Sequence, residues 1–282
     1  DIARENNLTV DEDGFNQEMA KQQERGRSSG KFAQQAQISA ETVKSLAPTE
    51  FLGYEQLETT DSRVTAILVN GEQADELETG GEAVLLLDKT PFYAESGGQV
   101  GDTGVLSTGD NSFTGVDTQK SGKARVHYGS VQAGELEVGD KVEAHVDAER
   151  RQAIRLNHSA THLMHAALRT VLGEHVQQKG SLVAPDRLRF DFSHFEPVSA
   201  EQLTEIEDMV NDQIRRNVAA DTKVMSYAAA VASGAIALFG EKYDDEVRVL
   251  NFGGFSVELC GGTHVDRTGD IGIFKITHET GI

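Results

Sequence analysis

The 282-residue sequence has a single cysteine, Cys260, and only 26 basic side chains against 46 acidic ones. No apolar stretch approaches the ~18–20 residues of a membrane span. One thiol cannot make an internal disulfide framework and fits a reducing compartment, so a cytoplasmic protein with no membrane partner is expected. Asp1 opens no signal-peptide pattern. Three catalytic signatures are also missing. The carboxylate of a His-Glu-x-x-His zinc peptidase is replaced by Ser159. The glycine-rich stretch from Tyr93 to Gly104 lacks the Gly-Lys-Ser/Thr end of a phosphate loop. No Gly-x-Ser-x-Gly elbow occurs, which argues against a serine acyl-enzyme. The length and an apolar fraction of 38% suit a soluble globular protein with room for two cores. The chain starts without Met and stops at Gly281-Ile282 just after an expected strand, as a piece of something larger would.

What the sequence does contain is a pair of separated motifs. Asn157-His158-Ser159-Ala160-Thr161-His162 is answered far downstream by Cys260-Gly261-Gly262-Thr263-His264. His158 and His162 lie four apart in a run whose apolar residues (Ile154, Leu163, Ala167, Leu168, Val171) recur at helical spacing. Both imidazoles therefore share one helical face and can reach a single ion. Cys260 adds a thiolate and His264 a third imidazole, a donor set that suits tetrahedral Zn²⁺ better than a hard cation. Either half alone reads as ordinary core or surface chemistry. Together, with Gly261-Gly262 freeing the backbone beside the cysteine, they point to one metal ion. His165 falls on the same face and could flank the site, although a surface or partly buried side chain is the commoner outcome.

Alternation along the expected strand Phe255 to Cys260 puts Ser256, Glu258 and Cys260 on one face, with Val257 and Leu259 on the other. Glu258 then either lines the metal pocket, accepting a proton or orienting a ligand imidazole, or pairs with a nearby arginine.

The net charge of −20 argues at first sight against nucleic acid, but it is uneven. Residues 1–147 hold 12 basic and 27 acidic side chains, and residues 148–282 hold 14 and 19. In the second part the basic residues cluster as Arg150, Arg151 and Arg155, as Lys179, Arg187 and Arg189, and as Arg215 and Arg216. Such clusters either steer a polyanion despite the acidic total or are merely solvated faces.

Residues 1–49 read as polar and helical, loosened at Gly26 to Gly30, and carry no chemistry. Residues 50–147 have the period of short strands. Val64 to Val69 runs into the hairpin signal Asn70-Gly71, and further strands are expected at 83–87, 112–116, 124–128 and 141–146. Many short strands with glycine turns suggest a small β-barrel. Its Tyr93–Gly104 stretch reads as turns ahead of a surface built for close approach. Residues 148–282 form a third unit. A helix is expected from Asp147 to a Gly173 cap, then a hairpin of 176–183 and 188–192, an amphipathic helix over 199–217, a helix over 227–238, and strands at 246–250, 254–260 and 271–276. The fold class expected is α+β: a helical segment, a glycine-rich barrel, then a layered metal-binding core with a mainly antiparallel sheet.

These motifs taken together resemble the editing domain of alanyl-tRNA synthetase. The resemblance rests on the histidine motif, Arg187-Leu-Arg-Phe-Asp-Phe-Ser-His194, Glu258-Leu-Cys-Gly-Gly-Thr-His-Val265 and the glycine-rich Phe92 to Gly104. Asp13-Gly-Phe-Asn-Gln-Glu-Met-Ala looks like the end of that family's aminoacylation half, so the match covers essentially the whole chain. Free-standing alanyl-tRNA deacylases share the barrel and zinc core, and threonyl-tRNA synthetase shares the His-x-x-x-His and Cys-x-x-x-His frame.

The resemblance implies hydrolysis of the ester in mischarged Ser-tRNA(Ala) and Gly-tRNA(Ala), with Zn²⁺ held by His158, His162, Cys260 and His264. It places Gln178 near the substrate. It also implies an acceptor end of tRNA(Ala) and the rest of a synthetase chain as partners. The ATP- and alanine-binding motifs are absent, so deacylation without charging is expected. Alanine is smaller than serine, so size cannot sort them, and a group must hydrogen-bond the serine hydroxyl. Gln178 ranks first for that role, followed without order by Ser96, Gln99 and Thr103. Gln178 and Glu258 are the candidate catalytic residues. Arg150, Arg151, Arg155, Lys179, Arg187 and Arg189 are the candidate contacts to tRNA. The alternatives are a non-catalytic tRNA-binding module with a structural zinc and a free-standing deacylase.

Overall fold

The computed structural model describes Gly14 and residues 46–237 and 244–281. The expected N-terminal helical segment lies almost wholly outside the described residues, as does Leu238. The architecture is mixed α/β, with a closed antiparallel barrel and few helices.

Six strands close the barrel: β2 (Glu58–Val69), β5 (Glu82–Leu87), β9 (Ala124–Ala133), β8 (Asn111–Ser121), β7 (Gly104–Thr108) and β11 (Lys141–Val146), which returns to pair with β2. The Asn70-Gly71 turn has both residues at positive φ (53° and 83°) and folds β3 (Glu72–Ala74) back on β2. That is the conformation matching the right-handed strand twist. The run Ala83 to Leu87 is continuous rather than alternating because β5 is covered on both sides. Leu85 and Leu87 join the cluster that contains Phe92, Leu106 and Phe113. Val84 and Leu86 join a second cluster with Leu68, Ala124 and Val126. Each leucine so buried contributes about 2 kcal/mol relative to exposure. Two short ladders, β1 (Glu50–Phe51) with β6 (Lys89–Thr90) and β4 (Glu76–Glu78) with β10 (Glu135–Glu137), complete this part.

The second part packs α1 (Ala148–Leu172) against α2 (Ala200–Arg216), the hairpin β12 (Gln178–Val183) and β13 (Leu188–Phe192), and an antiparallel sheet. That sheet runs β14 (Ala220–Ser226), β15 (Glu246–Phe252), β16 (Ser256–Leu259). Asp147 caps α1 by accepting from the Arg150 amide at 3.0 Å, and Gly173 ends the helix. Ser199 and Gln202 form a reciprocal capping box on α2, and Asn217 ends it in the left-handed region.

Two sequence expectations are corrected here, and one strand was not expected. The helix over 227–238 is only α3 (Tyr227–Ala232); the chain turns at Gly234 (φ 84°) and Ile236 pairs beside Glu258. No strand forms over 271–276. Thr268–Ile271 is a 3-10 turn, and the chain beyond it lies on α2 through Phe274 and Ile276, held by Asn211 and Glu207. β14 went unread because its side chains are mostly exposed and carry no alternation.

Candidate metal centre

Helix α1 buries a face that carries His158 and His162, and the loop after β16 brings Cys260 and His264 opposite them. The four donor atoms all lie within 4.8 Å of one another. His158 Nε2 is 3.5 Å from Cys260 Sγ, His264 Nε2 is 3.4 Å from Sγ, and His162 Nε2 is 3.2 Å from His264 Nε2. Three Nε2 atoms and one sulfur converge, so these residues could hold a metal ion.

The outward-facing nitrogens are fixed in a way that suits this. Gln99 Oε1 accepts from the Thr263 amide at 3.0 Å, and its Nε2 donates to Thr263 Oγ1 at 2.9 Å. With the amide oriented so, His158 Nδ1, 2.7 Å from the same Oε1, must be the donor. His158 Nε2 is left with its lone pair toward the cluster. His162 Nδ1 faces Glu258 Oε2 at 2.9 Å with the same consequence. His264 Nδ1 is buried without a partner. A Cβ at Gly262 would overlap the His158 ring, so only glycine lets the loop approach so closely.

Glu258 is buried and faces histidines rather than an arginine. Its Oε1 accepts from Ser256 Oγ at 3.1 Å and lies 3.2 Å from His165 Nδ1. Burial alone would raise its pKa, but His162 and His165 outweigh that and hold the carboxyl down to about 2. Burial likewise disfavours charge on His162, yet Glu258 and then Cys260 lift its pKa to about 10. The Cys260 thiol is drawn well below its ordinary value, because His158, His264 and His162 outweigh burial. Burial pushes His264 down to about 3, so the cluster combines a neutral imidazole with the negative charge of Glu258 and Cys260, a setting that favours a cation.

The other expected site residues scatter. Gln178 is half-buried at the start of β12, and its side-chain amide has no hydrogen-bond partner among the described residues. Ser96 Oγ accepts from Lys120 at 3.0 Å. Thr103 is half-buried, and its carbonyl accepts from Asp147. Gln99 is fully buried and its amide is committed to His158 and Thr263, which removes it as a free sensor of substrate.

The arginine expectations need a correction too. Arg151 is 1% exposed, with its guanidinium on the Asp102 carboxylate and on the carbonyls of Gly53 and Pro91. It cannot meet a polyanion. Arg150 donates to the Gly101 carbonyl at 2.7 Å, and Arg155 donates to the His264 carbonyl and to Asp266 at 2.7 Å. Lys179 is exposed beside Gln177. Arg187 and Arg189 are exposed and paired with Asp186 and Asp191, and Arg215 and Arg216 pair with Asp212.

Two further residues stand beside the four candidate donors. Arg248 Nη1 donates to the Gly262 carbonyl at 3.0 Å, and its guanidinium lies 4.3 Å over the Tyr54 ring. The Tyr54 hydroxyl donates to the Gly261 carbonyl at 2.6 Å. Neither carries a local motif.

Comparison with known proteins adds the family context. Residues 1–150 match the family described as tRNA synthetases class II (A), and residues 247–282 match the threonyl and alanyl tRNA synthetase second additional domain. Over its whole length the chain is similar to proteins named alanine–tRNA ligase. It is 56% identical to that of Stenotrophomonas maltophilia, 55% to that of Hydrogenovibrio crunogenus and 57% to that of Saccharophagus degradans. It spans 32% of the length of each of these relatives.

Proposed function

Since the chain belongs to the alanyl-tRNA synthetase family, we propose that it is the editing part of such an enzyme, hydrolysing Ser-tRNA(Ala) and Gly-tRNA(Ala) in the cytoplasm during protein synthesis. The observation that carries this reading is the convergence of His158, His162, Cys260 and His264 on one point within 4.8 Å. The nitrogen and sulfur donors suit zinc, and the Nδ1 partners of His158 and His162 leave their Nε2 atoms available to it. Zinc bound there would supply positive charge beside the ester carbonyl, polarising it or lowering the pKa of a nearby water.

The chain's own residues have distinct roles. Glu258 has both oxygens engaged by His162, His165 and Ser256, so it acts through His162 as a positioning residue rather than as a base on water. Gln178 has a free amide and remains first choice for the serine hydroxyl, where an unpaired group would cost an alanyl ester ~1–3 kcal/mol. Ser96 and Thr103 stand behind it. Contacts to the acceptor end fall to Arg187, Arg189 and Lys179, which are exposed so that their surface ion pairs can open to a phosphate, rather than to the half-buried or buried arginines of α1.

Misacylated Ser-tRNA(Ala) incubated with the zinc-loaded chain should be deacylated. A chelator or Cys260→Ala should reduce the rate by ~100-fold or more, the usual range for losing a principal stabilising group. Four protein donors can also close a tetrahedron and make a purely structural site. Unchanged hydrolysis after either treatment would establish that second reading, and no hydrolysis by the untreated chain would leave only an RNA-binding module.

A further inference from the structure

A row of two aromatic rings between two cations runs from the barrel to the loop that carries Cys260. Arg125 lies 4.4 Å over the Phe51 ring, Phe51 meets Tyr54 edge-on at 4.8 Å, and Arg248 lies 4.3 Å over Tyr54. The row ends on the loop that carries Cys260, because Tyr54 binds the Gly261 carbonyl and Arg248 binds the Gly262 carbonyl. Its elements come from both halves of the molecule: Phe51 and Tyr54 from the start of the barrel region, Arg125 from β9, Arg248 from β15.

Two properties mark the row as more than packing. First, neither arginine has a carboxylate within ion-pair distance among the described residues, in a chain with 46 acidic side chains. Among the described residues Arg248 donates only from Nη1, to the Cys260 and Gly262 carbonyls, and the Nε of Arg125 is buried with no partner. A half-buried guanidinium with donors unspent is a site for an anion, above all for phosphate oxygens. Second, Tyr54 is 47% exposed, and the neighbouring Gly261 is open, with only the Tyr54 hydroxyl near where a Cβ would stand. An exposed ring beside unspent guanidinium donors is the combination that holds single-stranded nucleotides, base on ring and phosphate on cation.

We infer that Tyr54 and Arg248 form the subsite for the terminal nucleotide of the RNA, with Arg125 as the cation further along the same wall. The inference rests on the editing reading and deepens it: the ester to be cut sits on the last ribose, so the last base and phosphate must be held beside the metal loop.

The test uses the zinc-loaded 282-residue chain and a single-stranded RNA trinucleotide with the sequence of the acceptor terminus, with zinc content measured for every variant. Tyr54→Ala should weaken trinucleotide binding by about tenfold, the cost of one lost base stack. Tyr54→Phe should recover most of that loss, since the ring rather than the hydroxyl is the platform. Arg248→Gln should weaken binding and reduce the slope of log affinity against log salt by about 0.7, one phosphate on a single strand. Lys275→Gln, an exposed cation paired with Glu207, should change neither. With Ser-tRNA(Ala), Tyr54→Ala should raise KM while kcat stays within about twofold, the signature of lost uniform binding.

Trinucleotide affinity unchanged in Tyr54→Ala with zinc retained would overturn the subsite. If Arg248→Gln loses zinc through its loop, the two Tyr54 variants still decide the matter. Hydrolysis that is normal in Tyr54→Ala refutes the subsite and spares the editing reading. Trinucleotide binding that depends on Tyr54, in a chain that never hydrolyses Ser-tRNA(Ala), does the reverse.

Discussion

Gln99 shows how much one side chain can settle. It sits in a glycine-rich stretch that reads as turns, yet its amide fixes which nitrogen of His158 carries the proton. The orientation follows from two bonds to Thr263, because only an amide oxygen can accept from the Thr263 N–H and only the amide nitrogen can donate to its hydroxyl in that arrangement. Gln99→Leu should therefore lower zinc affinity by ~10–100-fold, the usual cost of losing such a partner. Competition with a chelating dye measures this directly, and far-UV circular dichroism checks that the barrel persists. Unchanged affinity would mean that the Cys260 loop alone holds the imidazole in place. The residue types at the centre were legible from spacing, whereas this support was not, since a glutamine between glycines announces no partner.

At the scale of elements, the barrel carries a titration of its own, away from the cluster of His158, His162, Cys260 and His264. His127 on β9 is buried between β5 and β6: its Nδ1 donates to the Leu85 carbonyl at 3.1 Å, and its Nε2 accepts from the Thr90 hydroxyl at 2.9 Å. Burial drives its pKa down to about 4 from an ordinary 6.5, against the Leu85 bond that raises it. Between those values the unfolded chain takes up a proton that the folded barrel refuses. Stability is complete above pH 6.5 and falls as the pH is lowered toward 4. The loss amounts to about 3 kcal/mol, at ~1.4 kcal/mol for each tenfold in proton affinity. His127→Gln can make the same two hydrogen bonds without titrating. Urea unfolding at several pH values should show a flatter profile over that window for the variant. An equally steep profile would mean that the acid sensitivity lies elsewhere. The barrel strands themselves were readable from their turns and apolar runs. β14 was not, because an exposed edge strand takes its place from backbone pairing with β15 rather than from side-chain pattern.

At the scale of the whole molecule, a buried ion pair and a close backbone contact are among the contacts that lock the barrel to the part built on α1. Arg151 near the start of α1 grips Asp102 of the barrel and the Gly53 and Pro91 carbonyls. Gly98 packs on β12, where a Cβ would come 2.6 Å from the Ser181 carbonyl oxygen, and Gln99 pairs with Val183. Removing one partner of a fully buried pair leaves an uncompensated charge. Asp102→Ala should therefore destabilise the chain by about 3–5 kcal/mol. The double change Asp102→Leu with Arg151→Met should recover much of that loss. Thermal and urea unfolding of the three proteins checks both, and additive losses would show that the pair is not coupled. Because Gln99 and Asp102 share one stretch of barrel chain, loosening the clamp should also weaken metal binding.

The sequence by itself determined which candidate donors share a face of their own element. A helical period of 3.6 puts His158, His162 and His165 on one face, and a strand period of 2 puts Ser256, Glu258 and Cys260 on one face. Both are local rules of backbone geometry, and the family likeness followed from the same letters. Only the tertiary structure decided which charges are spent and which remain. Arg151 reads like Arg150 or Arg187 along the chain, but burial commits it to Asp102. Arg248, in an apolar strand without any motif, stands beside the metal loop with donors to spare. Charge acts through space and desolvation, and neither is written in the spacing of residues along the chain.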